Sequence, residues 1–228
     1  MLKLLLIIEL KCVAWLLKEN GLGNLKINKK KFIYLISPNK IPKFFYNNLK
    51  LVLKTGKVSF FQLRLKSYSL NKKIIVGEKI KNICKKYKVK FIINDDPLLA
   101  LYLDADGCHL GQNDMNLKEA KKLLRRKIIG VTCHNSINLA KKAIKYKVSY
   151  LAFGAFYSSK TKNTKYKASI KILNKVKKIT KIPIVAIGGI NNNNYKNLLL
   201  KKANFLAISG YIWKNKKYKP REAIERLK

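Results

Sequence analysis

The sequence predicts an α/β fold, a (β/α)8 barrel of the TIM type with an extra N-terminal segment. Three observations lead there. From residue 32 onward, eight short runs rich in β-branched and aromatic residues alternate with Lys-rich stretches of helical period. Each run is nearly continuous in apolar character, as expected for parallel strands covered by helices. No run is followed by the GxGxxG or GxxxxGKS pattern that would favour the competing open, doubly wound sheet.

Taken in order, residues 1–30 form an N-terminal extension and residues 31–228 a single catalytic domain. The stretch 2–17 is apolar, but Glu9 and Lys11 interrupt it, so it is too short and too charged to span a membrane. It also lacks the clean apolar core and small-residue cleavage site of a signal peptide, and is expected to be helical. Strands are expected at 32–36, 58–63, 90–93, 107–110, 128–132, 150–153, 184–187 and 205–209. The helical pattern at 71–87 puts Ile74, Ile75, Ile80, Ile83 and Cys84 on one side and Lys on the other. Residues 116–125, 137–146, 170–179, 195–201 and 221–227 behave similarly, and Asn or Ser before several of them suits an N-cap.

The chain of 228 residues is long enough for one sizeable core, and its 48% hydrophobic content excludes a disordered polymer. The formal charge of +40 first suggests a nucleic-acid or membrane-surface binder. Only Arg64, Arg125, Arg126, Arg221 and Arg226 supply the guanidinium that phosphate and base recognition favour. The remaining basic residues are Lys spread among Asn and Ile, the composition an AT-rich genome writes onto tolerant surface positions. Nucleic acid is therefore not an expected partner. Cys12, Cys84, Cys108 and Cys133 lack CxxC spacing and read as small hydrophobes in a reducing, cytoplasmic compartment.

The minority charge is more informative. All five aspartates, Asp95, Asp96, Asp104, Asp106 and Asp114, fall in one short window. In a barrel, chemistry sits at the C-terminal ends of the strands. Strand three ends in Asn94-Asp95-Asp96, and strand four leads to Asp114, so adjacent strands bring Asp95 or Asp96 near Asp114. Hard carboxylate oxygens there suit Mg²⁺ bridging to substrate phosphates. Asp95 and Asp114 are read as the ligands. Asp96 precedes Pro97 and reads as a helix cap, while Asp104 and Asp106 read as turn residues.

Strand two ends in Gln62-Leu63-Arg64-Leu65-Lys66, where alternation places Gln62, Arg64 and Lys66 on one side, suited to a diphosphate. Strand five delivers Thr132 to the mouth, with His134 beyond it as a cap, a packed residue or a general acid/base. Strand six runs into the hydroxyl- and Lys-rich loop Ser158-Ser159-Lys160-Thr161-Lys162, a natural phosphate grip. Strands seven and eight end in Gly188-Gly189 and Ser209-Gly210, where barrel phosphate sites are commonly built.

These motifs, QLRLK, IINDD, DGCHLGQND, GVTCHNS, YLAFGAFYSSKTK, VAIGGI and FLAISG, resemble in order and spacing those of the thiamine phosphate synthase family over about residues 32–213. GVTCHNS and FGAFYSSKTK are especially similar to its alphaproteobacterial branch. The resemblance implies a (β/α)8 transferase that joins hydroxymethylpyrimidine diphosphate to thiazole phosphate, giving thiamine monophosphate and diphosphate. By position, it implies Gln62, Arg64, Lys66 and Asn94 around the pyrimidine diphosphate, Thr132 near the pyrimidine, and Asp95 and Asp114 on Mg²⁺. It further implies Ser159, Thr161, Gly189, Ile208 and Ser209 at the thiazole phosphate, and Lys162 on the diphosphate. Two departures stand out: Ser158-Ser159 replaces the usual Pro-Thr, and Asp96 often has a basic or apolar counterpart. The expected partners are thus small phosphorylated molecules, with assembly into a homo-oligomer left open. The nearest rival is a thiazole tautomerase on the same barrel, which would need a proton-transferring residue such as His109 or His134 and no diphosphate–Mg²⁺ site. A basic nucleic-acid-binding module is the rival from another class.

Overall fold

The computed structural model describes residues 31–158 and 166–228. The expected N-terminal helix, Cys12 and the residues Ser159, Thr161 and Lys162 lie outside them. Eight parallel strands close into a barrel in sequence order: β1 (Ile33–Ile36), β2 (Val58–Leu63), β3 (Lys90–Asn94), β4 (Gly107–Leu110), β5 (Ile128–His134), β6 (Tyr150–Gly154), β7 (Ile184–Ile187) and β8 (Phe205–Ile208). The helices between and after them are α1 (Phe45–Lys54), α2 (Leu70–Lys86), α3 (Pro97–Tyr102), α4 (Leu117–Leu124), α5 (Ile137–Lys145), α6 (Lys171–Ile179), α7 (Tyr195–Leu200), α8 (Gly210–Trp213) and α9 (Pro220–Glu225). None of these helices is long and apolar enough to cross a membrane.

Strand alternation divides the apolar residues between two cores. Leu35, Phe61, Phe91, Ile93, Cys108, Ile129, Val131, Leu151 and Leu206 point outward and pack against the helices. Tyr34, Ile36, Phe60, Ile92, Tyr150, Ala152, Val185, Phe205 and Ala207 point inward and fill the barrel. This double burial makes the strands read as unbroken apolar runs in the sequence. Each large side chain fully buried this way contributes roughly 1.5–3 kcal/mol.

Helix starts follow capping chemistry. Ser69, Asn116 and Ser136 accept hydrogen bonds from the backbone N–H groups of Lys72, Glu119 and Leu139 at the starts of α2, α4 and α5. On α2 the apolar face is narrower than the sequence pattern suggests. Ile80 and Cys84 are buried, but Ile75 is largely exposed, because the inner face follows Gly77, Ile80 and Cys84 at helical spacing. Helices α1 and α8 had no counterpart among the expected elements, and of α3 only the start, at Asp96-Pro97, was expected. At six residues or fewer, α3 and α8 are too short to display a period, and α1 carries few lysines to mark its outer face. Strands β3, β5 and β6 run one or two residues beyond their expected ends, whereas β8 stops before Ser209.

Candidate active site

The barrel mouth collects residues from the ends of all eight strands. After β1, Ser37 and Asn39 hold the Arg64 segment in place. The Arg64 backbone N–H donates to Ser37 Oγ at 2.9 Å, and its guanidinium donates to Asn39 Oδ1 at 3.0 Å. Neither supporting residue was among the candidates, although Ser37-Pro38-Asn39 follows the first strand directly and the same reading of strand ends would have reached it. Gln62 points into the barrel, only 3% exposed, and its amide Nε2 has no partner among the described residues. A buried donor left without an acceptor is costly, so this amide is set to meet an incoming one.

Lys66 lies beyond the end of β2, so strand alternation does not place it. An ion pair does: its ammonium sits 2.9 Å from Asp95 Oδ2. Asp95 has a positive φ of 67° and receives its carboxylate orientation from the sharp turn leaving β3. The Asp95 and Asp114 side chains are within hydrogen-bond distance of each other. Burial acts to raise the Asp95 carboxyl, but Lys66 and the hydrogen bond with Asp114 hold it below its ordinary range. Asp114 is pushed above that range by burial and by the charge of Asp95, against a 2.6 Å hydrogen bond from the Gly111 N–H. The expected pairing of Asp95 with Asp114 is thus present. Lys66, Asn94 and Asp95 also line a cavity of about 440 Å³ between β2, β3 and α3.

Asp96 caps α3, accepting from the Leu99 N–H at 2.9 Å, with Pro97 at the first helical position. Asp104 sits in a turn at φ 44° and pairs with Lys81 and Lys127, while Asp106 takes Lys90 and the Phe91 N–H. These three carboxylates serve the helix start and turns around them, whereas Asp95 and Asp114 interact with each other beside Lys66. Replacing Asp96 with alanine should cost about 1 kcal/mol of stability, as cap removal typically does. Thermal unfolding should show that loss while the coupling rate stays within about twofold; Asp95→Ala should show the converse.

Donor chemistry fits Mg²⁺. Among the described residues no group of three or more His, Cys, Asp or Glu converges. Two carboxylates leaving most positions to water and phosphate oxygens is the usual protein share of a Mg²⁺ site.

Inside the mouth, Thr132 and His109 are joined. Thr132 Oγ1 lies 2.8 Å from His109 Nε2, and His109 Nδ1 lies 3.0 Å from the Tyr150 hydroxyl. Tyr150 in turn meets the Tyr34 hydroxyl at 2.7 Å. Burial pushes His109 down to about 4, against the opposing pull of Asp95, so the imidazole is neutral at pH 7. The Tyr34 and Tyr150 links were absent from the sequence-based candidates, since no motif connects residues 116 positions apart. His134 ends β5 with φ 50° and stacks on Tyr166 with ring centroids 4.0 Å apart, beside a cavity of about 360 Å³.

The opposite rim is backbone. Gly188 and Gly189 have φ of 108° and 60°, and a Cβ on Gly189 would stand 2.3 Å from the Ser158 carbonyl. The Tyr157 N–H donates to the Gly188 carbonyl, so the start of the β6 loop lies against this turn. Ser209 donates to the Ser37 carbonyl at 3.2 Å. Ile208 is 2% exposed with its side chain in the outer core, so only its backbone can serve a ligand at the mouth.

Comparison with known proteins gives a consistent set of likenesses. The family model for thiamine monophosphate synthase matches residues 33–212. A thiamine-phosphate synthase from Pelagibacter ubique is 69% identical over 204 residues, covering 89% of this chain and 98% of the relative. One from Erythrobacter litoralis is 40% identical over 186 residues, covering 79% and 87%. Among solved structures, a thiamine phosphate pyrophosphorylase from Pyrococcus furiosus matches with a TM-score of 0.78 at 28% identity, covering 90% of this chain and 96% of that one. An orotidine 5'-phosphate decarboxylase from Pyrococcus horikoshii matches at 13% identity with a TM-score of 0.61, covering 85% and 96%, a likeness of fold alone.

Proposed function

This chain belongs to the thiamine monophosphate synthase family and is a transferase of that type; from that premise we propose how its residues divide the reaction. The reaction joins hydroxymethylpyrimidine diphosphate to thiazole phosphate, releasing diphosphate. The observation that carries the assignment of roles is the Lys66–Asp95–Asp114 cluster at the ends of β2, β3 and β4.

In the proposed arrangement Gln62, Asn94 and Thr132 hold the pyrimidine, and the unpartnered Gln62 amide supports that role. Arg64, Lys66 and, by motif match, Lys162 grip the diphosphate. Asp95 and Asp114 would hold Mg²⁺, whose chemistry there is neutralisation of charge on the departing diphosphate. The bond between the pyrimidine methylene carbon and the diphosphate oxygen breaks with its electron pair leaving on oxygen. Cations placed where that charge grows lower the barrier. Positive charge on the methylene spreads into the pyrimidine ring, and the thiazole nitrogen then supplies the pair for the new C–N bond. The thiazole phosphate is assigned to Gly189, Ser209, the Ile208 backbone and, by motif match, Ser159 and Thr161.

No strong general base is needed, which agrees with a mouth where both ring nitrogens of His109 are engaged. The buried thiols of Cys84, Cys108 and Cys133 support a reducing, cytoplasmic setting for the reaction.

The test mixes purified protein with both phosphorylated substrates, with and without Mg²⁺. Thiamine monophosphate should form with Mg²⁺ and fall sharply when the ion is chelated. Folded protein that makes none in either condition would sink the reading, and equal rates in both would remove Mg²⁺ from it.

A further inference from the structure

The line of hydrogen bonds Tyr34–Tyr150–His109–Thr132 crosses the barrel interior from β1 to the mouth. Heavy-atom positions allow its protons to run in either of two directions. If they run inward, Thr132 donates to His109 Nε2, His109 Nδ1–H donates to Tyr150, and Tyr150 donates to Tyr34. The Tyr34 proton then has nowhere to go. Tyr34 is 2% exposed, its ring is packed against Phe60 and other apolar residues, and Tyr150 is the partner of its hydroxyl among the described residues. If they run outward, Tyr34 donates to Tyr150, Tyr150 donates to His109 Nδ1, and His109 Nε2–H donates to Thr132 Oγ1. Every buried donor then has an acceptor, and the last proton of the line belongs to Thr132.

An orphaned buried donor is the more expensive fault, since a buried acceptor missing one of two partners is common while an unpaired donor is rare. Strand register sets Thr132 at the mouth end of the line. His109 pairs with Gly130 and Gly130 with Tyr150, so the three share one level, while Thr132 stands one inward-facing step nearer the C-terminal end of β5. The His109 and Tyr150 rings lie parallel, 10° apart, which fixes the imidazole plane. Gly130 leaves the space Tyr150 occupies: a Cβ there would stand 1.8 Å from the phenol Cζ.

We infer that Tyr34 and Tyr150 are positioning residues that lock His109 in the Nε2–H tautomer. Thr132 is thereby left with a hydroxyl proton to donate into the active site. This rests on the synthase reading for its ligand: an acceptor atom on the pyrimidine diphosphate substrate, a ring nitrogen or an oxygen of the leaving group. The network occupies one of the two acceptor lone pairs of Thr132 Oγ1 and leaves its proton as the donor to substrate.

The chain has two histidines, so ¹⁵N-labelled full-length protein resolves the question directly. A His134→Gln variant assigns the remaining imidazole signals to His109. The expected spectrum shows a protonated Nε2 and a pyridine-type Nδ1 at neutral pH. Tyr34→Phe should keep that tautomer, because Tyr150 then has only His109 to donate to. Tyr150→Phe should move Nδ1 towards the value of an unbonded pyridine nitrogen. A protonated Nδ1 in the parent protein overturns the proposal. For the substrate half, Thr132→Val should lower kcat/KM by roughly 10- to 100-fold while Thr132→Ser stays within about threefold. Equal rates for the two variants overturn that half. The tautomer measurement needs no turnover, so a protein that fails to couple the substrates refutes the proposed function and not the direction of the network.

Discussion

Lys66→Ala should lower kcat for the coupling reaction by about 100-fold or more while leaving the fold intact. Its side chain is 60% exposed, and its ammonium pairs at 2.9 Å with an Asp95 side chain that is itself 28% exposed. A pair this open contributes little to stability, about 0–1 kcal/mol. Its expected value lies in the reaction. The departing diphosphate gains charge beside Lys66, and removing one well-placed donor to a growing oxyanion typically costs 10²–10³ in rate, or about 2.7–4 kcal/mol. The loss should fall mainly on kcat, since the charge grows in the transition state. Lys66→Arg should recover part of the rate, and Lys73→Ala, on the same cavity but outside the ion pair, should lose far less. Steady-state kinetics on the three variants checks this, and a Lys66→Ala enzyme with unchanged kcat removes Lys66 from the chemistry.

Gly130→Ala should be the most damaging single-methyl change inside the barrel. The added Cβ would stand 1.8 Å from Tyr150 Cζ and 2.2 Å from its hydroxyl oxygen. Tyr150 is fully buried and packed against Tyr34, Phe60 and His109, so its ring has no free rotamer to take up. Overpacking costs typically 1–3 kcal/mol, and displacing the phenol also breaks its hydrogen bonds to Tyr34 and His109. The expected destabilisation is about 3 kcal/mol or more, a fall in Tm of roughly 6–12 °C for a chain of this size. The double variant Gly130→Ala with Tyr150→Phe should recover little, because the clash is with the ring as well as its hydroxyl. A melting temperature within 2 °C of the parent would show that the ring moves aside cheaply.

Much of this molecule is legible before folding. The eight strands carry their own label because both faces are buried, which turns each into a short apolar run bounded by Lys and Asn. The chemistry at their ends is legible for a related reason. A chain that carries Lys on nearly every polar stretch exposes by contrast its five aspartates, and two of them, Asp95 and Asp114, meet beside Lys66. Asp96 as a cap and Asp104 and Asp106 as turn residues were equally readable, since capping and turn chemistry act within a few residues.

Other features depend on closure of the barrel. Leaving the strand at Leu63 broke the alternation that was to carry Lys66, and the ion pair with Asp95 replaced it. Ser37 and Asn39 support Arg64 only because β1 pairs with β2. Tyr34, His109, Thr132 and Tyr150 lie on four strands, with no local spacing to connect them. The sequence by itself determined which strand ends carry charge, because that information is local and periodic. Only the tertiary structure decided which side chains meet in the interior and which way their protons run, because the register of eight closed strands brings distant residues to one level and burial then leaves each donor a single acceptor.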